Sequence, residues 1–321
     1  MKIPTAFAAL LVMAGVAVML GSYPIGIGDI FADAEDPLLR VIVLELRLPR
    51  ILLAVLSGAA MGLSGVILQS LTRNPLAAPG LVGVEAGASV TVLIAMILWP
   101  SALAMELYPL AAMAGGLAVA LLIAGLAWSV GGTPLRLLLV GVGISAMLAA
   151  VADLLITYGR IEAVESALLW LAGSLHRAGW DNARSQLLWL MLSGGPALLL
   201  HRHFDLFLLG EAVARSRGLH VAGFRNGVLL ASVMLTASAV ANVGTMSFIG
   251  LLAPHAARLL VGERHAVLLP MAALLGGGIV LLGDTLGRTL FAPLQIPAGL
   301  LIAGIGAPYL LFLLSRKGGL R

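Results

Sequence analysis

The chain has 321 residues, 60% of them hydrophobic and only 11% charged, with a formal net charge of +4. A soluble domain carries about 25% charged residues, so a mean hydropathy of +1.07 leaves too little polar surface to cover a water-soluble globule of this size. There is no cysteine, which removes disulfides, thiolate metal sites and cysteine nucleophiles together. The apolar character runs from end to end, and the fold class that follows is an all-α integral membrane protein.

Met1 and Lys2 open an apolar run that continues to Gly21. It is long enough to span, and no small-x-small cleavage site follows before Tyr23-Pro24, so it reads as a retained first helix rather than a removed signal. A spanning helix needs about 20 mostly apolar residues. That rule predicts ten spans, over 5–23, 51–71, 81–99, 108–129, 137–157, 185–200, 226–243, 247–261, 266–287 and 298–315. They form one transmembrane domain over 1–321. The 39 glycines suit it, because small residues let helix backbones approach in a bilayer. Two stretches are neither helix nor short turn. Residues 24–50 are acidic first and then basic. Residues 201–225 carry His201, Arg202, His203, Asp205, Glu211, Arg215, Arg217, His220 and Arg225, and have the size to form short helices that dock a partner.

An even number of spans puts both termini on one side. With that side cytoplasmic, most Lys and Arg fall inside and most acids outside. The Lys/Arg bias matches the positive-inside rule, which fixes the orientation. It also explains a sequence pI near 10.0 without nucleic acid as a partner. Trp99, Trp128, Trp170 and Trp180 lie near span ends, as an interfacial aromatic belt would.

A phosphate-binding loop needs G-x-x-x-x-G-K-[ST]. The two lysines are Lys2, followed by Ile3, and Lys317, followed by Gly318. Neither fits, so any ATP hydrolysis occurs on another subunit, and this chain is a transport component rather than an enzyme. Glu85, Asp153 and Asp284 fall within spans, where ionisable residues can mark coupling-ion sites. Each lies toward a span end or among glycines and alanines, so a helix-packing hydrogen bond or a wet cavity wall accounts for them better. His255 has no second ligand at plausible spacing, so no metal site is expected, and a helix-end hydrogen bond suits it better.

From Arg47 the sequence reads Arg47-Leu-Pro-Arg50, Ser57-Gly-Ala-Ala, Ser64-Gly, Gln69, and Arg73-Asn-Pro-Leu-Ala-Ala-Pro-Gly80, then Gly83 and Gly87-Ala88. Later come Phe248-Ile-Gly-Leu-Leu-Ala-Pro-His255, Arg258, Gly262, Arg264-His265, Leu269-Pro270, Asp284, Arg288, Pro297, Gly299 and Gly306-Ala-Pro308. This ordered set closely resembles the permease family that imports ferric siderophores, haem and cobalamin through bacterial inner membranes. The stretch Leu168–Leu175 with Trp180 looks most like the ferric-chelate branch, with ferric dicitrate permeases a near likeness. Gln295 departs from it, since a Glu is usual there, and Arg217 stands where an apolar residue is usual.

The resemblance implies a cobalamin-importer-like fold of about ten helices. It implies a second permease subunit, identical or related, and two ATPase subunits that bind ATP and Mg. It also implies a periplasmic substrate-binding protein. No cofactor is implied on this chain. Arg47, Arg50 and Arg288 are given to docking acidic residues of the binding protein, for which the planar guanidinium fork is suited. Glu211, Arg215 and Gly218 are given to coupling the ATPase, with Gly218 closing a short helix in the left-handed conformation. Gly141, Gly143 and Ser145 are given to a wide, weakly interacting pathway between two permease copies. Asn74, Pro75 and Pro254 are expected in structural turns.

Overall fold

A computed structural model describes residues 2–21, 23, 25–26, 37–99, 107–128, 134–292 and 294–315. The acidic part of the 24–50 stretch and the C-terminal charges Arg316, Lys317 and Arg321 lie outside them. The described residues form helices and connections only. The long helices are α1 (Lys2–Met19), α2 (Pro37–Thr72), α3 (Val84–Leu98), α4 (Tyr108–Trp128) and α5 (Pro134–Tyr158). A short α6 (Ile161–Leu171) follows. Next comes α7 (Trp180–Trp189), whose helical path continues to Leu199. Two short helices, α8 (His201–Leu208) and α9 (Glu211–Ser216), precede α10 (Val221–Val243), α11 (Ile249–Val261), α12 (His265–Thr289) and α13 (Ala298–Ser315).

Each of the ten apolar stretches coincides with a helix. Six helices, α1, α2, α4, α5, α10 and α12, are long and apolar enough to cross a membrane. α3, α11 and α13 are apolar but shorter by that measure. The 180–199 helix begins polar, with Asp181 and Arg184 exposed and Gln186 fully buried, donating to Ser238 Oγ at 3.4 Å and accepting from Asn242 Nδ2 at 3.2 Å. Ten crossings are therefore more than length and composition alone establish.

The molecule is organised around α2. Its best apolar window is 89% buried, against 6% for α5. α12, α10 and α11 pack along α2, α1 lies against α12, and α3, α4 and α5 form a second group joined through α10. Lipid tails are as apolar as leucine, so helix association here rests on close packing and polar contacts rather than on expelled water. The sequence supplies both. Gly58 and Gly62 of α2 lie directly against the Gly276 and Ala272 carbonyls of α12, and Gly65 lies against the Gly250 carbonyl of α11. A Cβ at Gly58 would also stand 2.8 Å from Gly277 Cα. On the opposite side of α2, Ser64 Oγ meets Ser232 Oγ at 2.8 Å and Thr236 Oγ1 at 2.7 Å on α10.

Two helices change gauge before a proline. α2 is π-helical over Ile42–Arg47 ahead of Pro49, and the 180–199 helix is π-helical over Leu190–Gly194 ahead of Pro196. A proline ring collides with the carbonyl four residues back and removes a donor. Those carbonyls belong to Glu45 and Leu192, inside the wide turns. Widening the turn routes the hydrogen bonding past the ring.

Pro254 corrects an expectation. It lies inside α11, not in a turn. The donor it lacks would have bonded Gly250, and the Gly250 carbonyl instead accepts from the Gln69 amide of α2 at 3.4 Å. Gln69 Oε1 in turn accepts from Arg258 Nη1. A neighbouring side chain thus satisfies the break and the helix continues. His255, correspondingly, lies within α11, edge-on to Tyr309 of α13 with ring centroids 5.9 Å apart.

The α2–α12 contact is directly testable. Gly58→Ala is expected to lower the thermal unfolding midpoint in detergent, at a cost of about 1–3 kcal/mol for overpacking against backbone, and Gly58→Val by more. Gly125→Ala, where a Cβ meets nothing within 4 Å, is the matched control and should be neutral or slightly stabilising. Equal midpoints for Gly58→Ala and Gly125→Ala would show that the helices do not touch there.

Candidate functional site: polar clusters at the two ends of one helix pair

α2 and α12 run antiparallel, and each end of the pair carries a polar cluster. At one end Arg50 grips Asp284. Its Nε donates to the two carboxylate oxygens at 3.1 and 3.0 Å, and its Nη2 to Oδ1 at 2.8 Å. Nη1 donates to Gln295 Oε1 at 3.3 Å, and His176 Nδ1 lies 3.3 Å from the same oxygen. Arg288, one turn beyond Asp284, brings Nε to 3.7 Å from Oδ2.

The three predicted docking arginines do gather, but they do not all face outward. Arg47 and Arg288 are each 6% exposed and Asp284 2%. Arg47 donates to the Val18, Met19 and Tyr23 carbonyls, and Arg288 Nη2 to the Ala17 carbonyl. These include the last carbonyls of α1, which lack partners inside their own helix. Cations suit a helix C-terminus. The expectation of solvent-facing arginines is therefore corrected for these two, which hold α1 against α2 and α12. Arg50, with 16% of its side chain exposed, stays accessible. Asp284 is paired rather than free, with the Arg50 and Arg288 guanidinium groups both reaching its carboxylate. Asp153 lies on an exposed face of α5.

At the other end, α8 is fastened to the same pair. It buries Phe204 and Phe207 and leaves Arg202 and His203 outside. Phe204 packs edge-on to Phe224 at 5.1 Å and stacks on His265 at 5.2 Å. Arg73, just past the end of α2 in the left-handed region at φ 49°, lies over the Phe207 ring and donates to its carbonyl at 3.0 Å. Asp205 Oδ1 accepts from the His265 backbone N–H at 3.0 Å and from its ring Nδ1 at 2.6 Å. It thereby satisfies a first-turn donor of α12 from another helix. His265 Nε2 meets Ser70 Oγ of α2 at 2.7 Å. Burial alone would raise the Asp205 carboxyl, but the His265 amide and ring outweigh it and hold the group below the usual carboxylate range.

The residues predicted for ATPase coupling form one small unit. Glu211 and Arg215 pair at 3.0 Å one turn apart on α9, with Arg225 Nη1 4.0 Å from Glu211. Gly218 takes φ 84° just past the helix. Gly218 N–H bonds the Arg215 carbonyl at 2.9 Å and Leu219 N–H the Ala214 carbonyl at 3.0 Å. That pair of bonds is a Schellman closure, which needs glycine at its left-handed position. Asn74 and Pro75 sit in the connection after α2, where the Asn74 Oδ1 accepts from Leu76 N–H at 2.9 Å.

The three residues predicted along a pathway do not share a face. Gly143 lies on the open side of α5, where a Cβ would meet nothing within 4 Å. Gly141 and Ser145, two positions to either side, turn inward. Ser145 Oγ is buried without a hydrogen-bond partner among the described residues, near the Gly83 turn. Val142 and Met147, 50% and 57% exposed, accompany Gly143 on the open face.

Sequence reading missed the Asp205–His265–Ser70 chain. Its only local sign was an acid in the 201–225 stretch and a histidine at a helix start. The pairings span 60 and 195 residues, beyond any spacing rule.

The FecCD transport family model matches residues 9–316. The chain is 41% identical over 277 residues to the achromobactin transport system permease protein CbrC of Dickeya dadantii (strain 3937), covering 86% of this chain and 79% of the relative. It is 41% identical over 275 residues to the Fe(3+) dicitrate transport system permease protein FecD of Escherichia coli (strain K12), covering 86% and 85%. A solved chain described as a metal-chelate type ABC transporter in an inward-facing conformation superposes with a TM-score of 0.88 at 29% identity, covering 98% of both chains. A match of this extent, over a fold with several helices long and apolar enough to cross a membrane, settles the affiliation: the chain belongs to the FecCD transport family, as a permease subunit of an ATP-binding-cassette importer.

Proposed function

We propose that this permease moves a ferric-siderophore-type iron chelate from the periplasm to the cytoplasm across a bacterial inner membrane. The observation that carries the reading is the family match along nearly the whole chain, joined to 41% identity with a permease whose name specifies Fe(3+) dicitrate transport. Haem or cobalamin is the alternative cargo within the same family. Ten helices cross the membrane in this reading, with both termini cytoplasmic. ATP and Mg bind two partner ATPases. The pathway runs between two permease subunits, along the open α5 face that carries Gly143, Val142 and Met147.

The 201–225 segment couples the ATPase. Its two short helices present Arg202, His203, Glu211 and Arg215 outward from a base fixed by Phe204, Phe207 and Asp205. The opposite end docks the substrate-binding protein. There the cluster has three guanidinium groups for one carboxylate, and Gln295 adds no charge. An acidic side chain of a partner would meet Arg50 first. Arg47 and Arg288 support the field from behind and keep the α1 end in place.

Three measurements test this. In a strain lacking the native gene, complementation with this permease and its partner subunits should restore radiolabelled uptake of a ferric chelate from a panel of citrate, hydroxamate and catecholate complexes. Restoration of only haem or cobalamin uptake would move the cargo to the alternative.

Glu211→Lys combined with Arg215→Glu keeps the one-turn ion pair but reverses its polarity. It should leave the permease inserted and lower ATPase co-purification by about tenfold or more, since like-charge contact across an interface costs several kcal/mol. Unchanged recovery and transport would place coupling elsewhere.

Arg50→Ala exposes the Asp284 carboxylate and should weaken binding-protein affinity, with Arg50→Glu worse because it adds repulsion. Affinity for the wild-type complex should fall as salt rises. Asp284→Ala should instead act on stability, costing about 3–5 kcal/mol by leaving buried arginines unpaired. Normal binding by Arg50→Glu would remove this cluster from docking.

A further inference from the structure

The two clusters are not independent, because one pair of helices carries both. Arg50 and Ser70 are the two ends of one stretch of α2, and His265 and Asp284 are the two ends of one stretch of α12. At 1.5 Å per residue each stretch is about 30 Å long. Between the locked ends the helices touch backbone to backbone, at Gly58 with Gly276 and Gly62 with Ala272, in one antiparallel register. Helices in contact at that distance have no side-chain layer between them to shear. The Arg50–Asp284 ion pair pins one end, and the Ser70–His265–Asp205 chain pins the other to α8. By contrast α5 packs on α3 and α4 and touches this pair little.

We propose that Asp205, His265 and Ser70 form a transmission joint that makes α8, α2 and α12 move as one rigid strut. The strut carries displacement of the 201–225 helices to the Arg50 cluster at its far end. The chemistry of the joint suits the task. In the neutral imidazole, Nδ1–H donates to Asp205 and Nε2 meets the Ser70 hydroxyl, whose single proton is shared between Nε2 at 2.7 Å and the Val66 carbonyl at 2.8 Å, so one ring ties three helices. His265 is 1% exposed and Ser70 3%, so water does not compete for the ring–hydroxyl contact, while the Asp205 side chain, 38% exposed, keeps one side open to water. Phe204 stacks on the ring and Arg73 holds the Phe207 carbonyl, which restricts rotation of α8 about the joint. The constellation of serine, histidine and aspartate has no opening to a substrate at these burials, which distinguishes it from a nucleophilic triad. Asp205, His265 and Ser70 are positioning residues. They do not touch cargo or nucleotide.

The proposal rests on the reading that 201–225 faces the ATPase, and the experiment separates the two. The chain has no cysteine, so introduced cysteines take spin labels uniquely. One label pair, at Arg202 on α8 and Leu282 on α12, reports along the strut. A second, at Leu282 and Met147 on α5, reports the strut against its surroundings. Both are measured in the full permease–ATPase complex in nanodiscs, without nucleotide and with ATP and vanadate. In the otherwise wild-type complex the Arg202–Leu282 distance distribution should be the same in the two states, while Leu282–Met147 shifts. With Asp205→Ala the ATPase should still co-purify within about twofold of wild type, whereas Arg202–Leu282 now shifts on trapping and the Leu282–Met147 response shrinks. Ser70→Ala, a smaller change at the far side of the ring, should show the same pattern in weaker form and serves if Asp205→Ala folds poorly. A trapping-dependent Arg202–Leu282 change in the wild type, or a normal Leu282–Met147 response in both variants, overturns the joint. If instead Asp205→Ala or Ser70→Ala loses the ATPase, the residues act on docking, and the joint is again overturned. If labels and reversals on 201–225 leave ATPase binding untouched, the coupling reading itself fails and takes the joint with it.

Discussion

The backbone contact between α2 and α12 is the constraint on which the rest of the molecule depends. In lipid there is little to gain from hiding one apolar surface against another, so a bundle must be held by proximity and by polar bonds. Gly58, Gly62 and Gly276 provide proximity by removing the side chains that would keep the helices apart. Once they close, α2 has only its other faces left, and these are occupied by α10 through the Ser64 hydroxyl network and by α11 through Gly65. A helix buried on every side must be apolar on every side or satisfy each polar group internally. α2 does the second at Ser64, Gln69 and Ser70 and the first almost everywhere else.

The same requirement explains the charged residues. Arg47, Arg50, Asp284 and Arg288 are expensive at membrane depth unless paired or turned to carbonyls. Each of them is so placed. The arginines also perform a second task by closing the end of α1, a helix whose own best window is only 11% buried and which therefore needs attachment at its ends. Lys2 supplies one at the opposite terminus, donating to the Leu260 carbonyl of α11. The peripheral helix adds cations on carbonyls to a narrow apolar seam in which Leu10 and Ala17 are buried.

Much of this was legible in the sequence. Apolar runs found the long helices, since in lipid every backbone group must be satisfied within its own segment. The family resemblance singles out Arg47, Arg50, Asp284 and Arg288, which the structure gathers at one end of α2 and α12. The errors have specific physical origins. The expected second span starts at 51, after the charged 24–50 stretch. With Asp284 as partner, α2 instead begins at Pro37. Pro254 read as a turn because its missing donor is answered by Gln69, nearly two hundred residues away. α6, α8 and α9 were not predicted as separate elements with bounds because they are too short for a hydropathy window. α8 declares itself only by Phe204 and Phe207 on one face. The resemblance gives Gly141, Gly143 and Ser145 a single role, although positions two apart point to opposite sides of a helix.

The wide turn over Ile42–Arg47 has a further consequence. A π turn takes in more residues per revolution than an α turn, so the chain before it is rotated about the helix axis relative to an uninterrupted helix, by roughly the 100° that one residue subtends. Leu38, Arg40 and Val41 thus present different faces than a helical wheel drawn from Leu48 backward would assign. Removing one residue from this stretch would restore an ordinary helix and leave the 37–41 segment on nearly its present face, because the wide turn absorbs the rotation of that one residue. The turn works as a phase shifter. It lets the buried body of α2 and its exposed head be oriented separately, within one unbroken helix.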